Sequence, residues 1–131
     1  MSISDAGGQG SDFDRWIAFE FASTGAFTAL AVLVGIEDAS VTLLCSTFFN
    51  LIGDEVDWQD ILALFAGSGV DWDGVSLFPV TDRQGGPIDN YTARTRLREL
   101  ETRLDMDRLV LNEGLFFDKW GRRLRIDEMT H

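Results

Sequence analysis

Cysteine and histidine are almost missing from this chain, and basic residues are scarce over its first two thirds. A single cysteine, Cys45, among 131 residues excludes an internal disulfide and any cysteine-based zinc site. It stands between Leu44 and Ser46 in an apolar stretch and reads as a small buried hydrophobe. The sole histidine is the terminal His131, so no histidine-based triad and no histidine-rich metal site can be built from one chain. No cofactor, metal or catalytic residue is therefore expected. Carboxylate pairs such as Asp71 and Asp73, or Tyr91, would have to serve any acid–base chemistry.

The charge of −11 is unevenly placed. Residues 1–90 hold fourteen acids against Arg15 and Arg83, whereas residues 91–131 hold eight acids and nine bases. The first part should repel nucleic acid and anionic membrane, since a phosphate backbone is bound by clustered Lys and Arg. Long hydrophobic runs are also missing. Stretches 26–36 and 39–53 each fall short of the roughly 20 residues that span a bilayer. Joining them would bury Glu37 and Asp38 in hydrocarbon. Residues 1–12 are polar and lack a basic leader region. The expectation is a soluble, cytoplasmic protein with no membrane association.

What is present is apolar and aromatic: 45% hydrophobic residues, with ten Phe and four Trp. The length suits one domain that buries roughly two thirds of its unfolded surface. Residues 1–12 read as a disordered tail and 13–131 as a single globular domain. The stretch 24–53 carries Glu37 and Asp38 as its only charges and reads as a pair of buried helices, about 25–35 and 39–52. The β-branched run at Val32–Val34 leaves a strand open there. Alternation in Arg15–Ala22 predicts a strand, with Ile17, Phe19 and Phe21 on one side.

Asp57 is placed to cap a short helix over Trp58–Ala66, stopped by Gly67. Val75–Val80 reads as a strand, and Pro79 assigns it to a sheet edge. Ala93, Leu97, Leu100 and Leu104 form one apolar stripe of a helix over about 90–105. Residues 115–127 read as a β-hairpin turning at Gly121. The fold class that results is α+β. A small, mainly antiparallel sheet with a C-terminal hairpin would be packed on one face by about four helices, including the buried pair at 24–53.

The candidate site is the acidic cluster Asp54, Glu55, Asp57, Asp60, Asp71 and Asp73, interleaved with Trp58 and Trp72. Read as a calcium loop around Gly74 it fails, because Gly69 and Val80 would occupy the first and twelfth positions. Acids at a helix start are more simply caps. A helix-turn-helix reading of 59–79 also fails, its second helix holding two acids, a Gly and a Pro but no base. The Arg-rich end, with GRRLR beside Trp120, could grip an anion or merely decorate an exposed strand. The leading expectation is a small acidic, non-catalytic interaction module, an adaptor, inhibitor or immunity-type partner of a basic protein surface. Trp58, Trp72 and Trp120 would serve it as anchors or equally cover the ends of the core. A structural subunit or homo-oligomer is the second reading, and a small-ligand or enzyme domain with a sheet–helix pocket the third.

Overall fold

The computed structural model describes residues 11–125, apart from Ala39 and Asp54. Helix α1 spans Asp12–Thr24, followed by strands β1 (Phe27–Glu37) and β2 (Ser40–Leu51). Then come α2 (Trp58–Ala66), β3 (Gly74–Val80), α3 (Asn90–Met106), a 3-10 segment (Arg108–Glu113) and β4 (Leu115–Asp118). The sheet is antiparallel throughout, in the order β2-β1-β3-β4. The α+β class with a small antiparallel sheet is as expected. Among the described residues, three α-helices and the 3-10 segment surround it.

The expected helical pair at 24–53 is instead a long β-hairpin. Glu37 pairs with Ser40 across the turn, and Asp38 takes the left-handed conformation (φ 57°). Asp tolerates that conformation better than most residues. The reason for the misreading is double burial. Phe27, Ala29, Ala31 and Leu33 face one core, while Leu30, Val32 and Val34 face a second. A strand covered on both faces loses its polar–apolar alternation and becomes a continuous apolar run. For the same reason helices lie on both faces of the sheet, not on one. α1 and α2 pack on the first core, α3 and the 3-10 segment on the second.

The two cores differ in character. The first is aromatic, with Phe13, Phe27, Trp58, Phe65, Trp72 and Phe117 over the small Ala29 and Ala31. The second is mainly aliphatic, closed by Leu97, Leu100 and Leu104 of the expected α3 stripe. Each large apolar side chain so buried contributes about 1.5–3 kcal/mol. Inside the sheet, the buried Thr28 hydroxyl donates to Asn50 Oδ1 at 2.7 Å and accepts the Ile88 N–H at 3.0 Å.

The expected strand at 15–22 is the body of α1. Ser11 is its N-cap and shares a capping box with Asp14, a signal that outweighs short alternation. Phe13 and Ile17, four residues apart, are the buried pair of this helix. Ser11 and Asp12 thus belong to the fold. The remainder of the expected tail, residues 1–10, lies outside the described residues.

Helices α2 and α3 run where their patterns place them, capped by Asp57 and Asp89. Hydrogen bonds from the Thr92 backbone and side chain hold the Asp89 carboxyl below its ordinary value. The stabilisation from this cap is present above the ordinary carboxylate pKa and fades as pH falls through the lowered one. Strand β3 is interior in the sheet order, contrary to the edge expected from Pro79. β4 pairs with it only over Gly74–Leu77, so Pro79 has β1 as its single neighbour. The missing N–H is thereby accommodated. After β4 the chain turns at Gly121 (φ 76°) and pairs back through one bridge, Phe117 with Arg123. The far end of the expected hairpin, 126–127, lies outside the described residues.

Candidate functional site

The acidic residues singled out in the sequence divide by what their carboxylates do. Asp57 accepts the Asp60 N–H at 3.0 Å and Asp60 accepts the Asp57 N–H at 3.1 Å, a reciprocal capping box at the start of α2. Asp73 accepts the Ile36 N–H at 2.7 Å, and its own N–H donates to Val34 O, extending the β1–β3 pairing by one step. These three carboxylates hold the fold. Asp71 is different: its side chain is 99% exposed and lies 3.6 Å from Lys119 Nζ. Glu55 is also exposed, and Asp54 lies outside the described residues.

Trp58 and Trp72 are not surface anchors. Both are buried, at 4% and 6% exposure, and meet edge to face with ring centroids 6.4 Å apart. Trp58 Nε1 donates to Lys119 O at 2.7 Å, which satisfies the one polar atom of the ring inside the core. The repeated Val-Asp-Trp at 56–58 and 70–72 therefore delivers two rings to one place, each beside a solvent-facing aspartate. Trp120 is the exposed tryptophan, at 68%, with the Arg122 guanidinium 5.1 Å above its ring.

The basic end is likewise occupied. Arg122 pairs with the nearly buried Asp118, Arg103 with Glu113, and Arg108 donates to the carbonyls of Val41 and Leu104.

Two helix N-termini converge beside Trp58. Asp14 Oδ2 accepts the Ser11 N–H at 2.9 Å, while Asp14 Oδ1 accepts the N–H of Trp58, the first residue of α2, also at 2.9 Å. One carboxylate thus serves the starts of both helices, where unpaired N–H groups and the helix dipole favour a negative charge. Asp14→Ala should lower stability by about 1–3 kcal/mol, near two caps' worth. Asp14→Asn should cost less, since its amide oxygen can still accept one bond. Urea unfolding of the three proteins checks this order.

Strand β2 supplies a feature that sequence reasoning missed. Among the described residues no strand pairs with its outer edge. It holds no charged residue and no proline over Ser40–Leu51, the devices that ordinarily blunt an edge. Its register slips between Leu33 and Val34, so Leu44 is an extra residue that lies over Gly35. Two grooves flank the middle of this edge. One, of about 240 Å³, is lined by Leu43, Ser46, Glu101, Leu104 and Asp105 on the α3 side. The other, of about 280 Å³, is lined by Thr47, Leu64, Phe65, Gly67 and Ser68 on the α2 side. Cys45 borders both, and burial pushes its thiol pKa up. The available signal was the uncharged run 40–51 itself, which a buried helix would show equally.

Compared with family models, curated proteins and solved structures, the chain matches none. Among the described residues, no three His, Cys, Asp or Glu side chains are grouped so as to hold a metal ion. Nor is any described helix long and apolar enough to cross a membrane.

Proposed function

We propose that this protein is a small acidic module that binds a basic surface of another protein and does not catalyse a reaction on it. The observation that carries this reading is the way the sheet divides the charge. The layer of α1, α2 and the loop to β3 presents Asp12, Asp14, Glu55, Asp57, Asp60, Asp71 and Asp73 against Arg15. The opposite layer is the mixed helix α3, with Arg94, Arg96, Arg98 and Arg103 among Glu99, Glu101 and Asp105. Lys119, 3.6 Å from Asp71, and Arg123 join this layer from the turn after β4, and carboxylates still outnumber bases on it. Such a surface accelerates encounter with a cationic partner and makes it sensitive to salt.

With Trp58 and Trp72 buried, contact would rest on the carboxylates that are not spent on capping, above all Glu55 and Asp71. The test is capture of partners from source-cell lysate by tagged protein at low and raised salt. A Glu55→Lys/Asp71→Lys variant is compared with the parent. Its stability should change by no more than about 0.5 kcal/mol, because both side chains are exposed. Basic proteins retained by the parent at low salt and lost by the variant support the reading. Equal capture by both proteins at both salts sinks it.

A further inference from the structure

We propose that the outer edge of β2 takes up an extended segment of a second protein, uncharged through its middle and carrying Lys or Arg at both ends. The inference rests on the acidic-module reading and gives the partner a form and a docking surface. Arg108 already occupies the carbonyl of Val41, so the open stretch runs from Leu43 to Asn50. It can line up about 27 Å of added strand. Main-chain hydrogen bonds supply affinity in such strand addition, and pockets for alternate side chains supply selectivity.

The two grooves beside Cys45 lie on opposite faces of the sheet, where successive side chains of an added strand would point. Both have apolar walls, Leu64 and Phe65 in one, Leu43 and Leu104 in the other, where Asp105 and Glu101 also stand and Glu101 accepts the Ser46 hydroxyl. A middle segment of small uncharged side chains matches these walls.

Its ends are set by charge complementarity. Glu37 and Asp38 stand exposed just before Ser40, at one end of β2. At the other, Glu55 and Asp60 line a recess with Asn50 and Ile52. A second copy of this chain is the wrong occupant. Antiparallel pairing of two β2 edges would set Glu37 and Asp38 of each copy beside Glu55 of the other. Parallel pairing would set like acids side by side. Either brings carboxylate against carboxylate between two chains of charge −11. Basic residues at both ends of the incoming strand turn that repulsion into attraction.

The test uses the full chain and a twelve-residue peptide of alternating Val and Thr with two lysines at each end. Two further versions are N-methylated at every second amide, one in each phase. A last version has glutamates at its ends. Binding is followed by calorimetry at low and raised salt, and contact by hydrogen exchange of the β2 amides. Binding of the lysine-ended peptide should protect Leu43–Asn50 and weaken with salt. One methylated phase should lose about tenfold or more in affinity while the other keeps it, because only alternate amides face the edge. The glutamate-ended peptide should not bind.

Equal affinity in both phases, or protection elsewhere than β2, overturns the inference. So does a salt-resistant dimer of the protein alone with its β2 amides protected. If the peptide does not bind but salt-sensitive capture by the parent persists, the docking surface falls and the acidic-module reading stands. If both fail, both fall.

Discussion

Replacing Trp58 with alanine should remove about 3–5 kcal/mol of folding stability, the largest loss expected from any single side chain in this protein. Trp58 lies where three elements meet. Its ring is 5.0 Å from Phe13 of α1, 5.9 Å from Phe117 of β4 and 6.4 Å from Trp72 in the loop before β3. Removing it opens a cavity bounded by rigid aromatic rings, which cannot collapse into the space as aliphatic side chains might. The truncation also leaves Lys119 O without its indole donor. Trp58→Phe keeps most of the apolar surface and loses that bond, so about 1–2 kcal/mol is expected.

Denaturant unfolding followed by far-ultraviolet circular dichroism gives both numbers. Trp120→Ala is the internal contrast: its ring is 68% exposed, and a change within about 0.5 kcal/mol is expected. Were Trp58→Ala to shift stability by less than about 1 kcal/mol, the ring would not be closing the core, and a surface role would return. The same experiment therefore separates the anchor read from sequence from the core residue seen in the fold.

The parts of the fold that were legible in the sequence share one property. In α2 a capping residue, the apolar positions and a glycine stop agree, in α3 the apolar stripe marks the helix, and both helices lie within a residue of their expected limits. Local signals suffice where one face is buried and the other is wet. The β1–β2 hairpin violates that condition. β1 is covered on both faces, so Phe27 to Val34 is apolar at nearly every position and its period disappears. In β2 the extra residue at Leu44 shifts the alternation midway, so no single phase fits both halves of the strand. An apolar run without a period reads equally as a buried helix or a buried strand. The β-branched Val32 and Val34 were the cue that favoured strand, and they lie at the centre of the sheet.

At the candidate site an aspartate beside a tryptophan reads equally as the rim of an exposed anchor or as the lip of the core, for a related reason. The fold uses the same pairing to mark where chain leaves solvent and enters the core. Asp57 caps α2 while Trp58 turns inward, and Asp71 faces water while Trp72 turns inward. From sequence these arrangements are indistinguishable, because both need a polar residue next to a large ring. What separates them is the tertiary contact between the two rings, made by residues fourteen apart. The β2 edge was hidden by the same ambiguity: an uncharged run is equally the mark of a buried element and of an unpaired edge strand.

Gly121→Ala is the second substitution expected to be severe, at about 2–5 kcal/mol, and it acts without removing a contact. Gly121 has φ 76°, which costs an L-residue about 1–2 kcal/mol. A β-carbon there would also stand 2.7 Å from Ser11 Oγ, 2.8 Å from Ser11 Cβ and 3.0 Å from Trp58 Cγ. Neither neighbour can easily give way. Ser11 is tied into the α1 capping box, and Trp58 is wedged among Phe13, Trp72 and Phe117. The Gly121 carbonyl further accepts the Phe13 N–H at 3.0 Å, so backing the turn away would strip a bond from the first turn of α1.

Gly69→Ala isolates the conformational cost: φ is 79° there, and nothing lies within 4 Å of the added carbon. The excess of Gly121→Ala over Gly69→Ala is then the collision alone, about 1–3 kcal/mol. Equal losses at the two positions would mean that Ser11 moves aside freely. The start of α1 would then not be held against the β4 turn, and the convergence of α1, α2 and that turn on Trp58 would be looser than the distances imply.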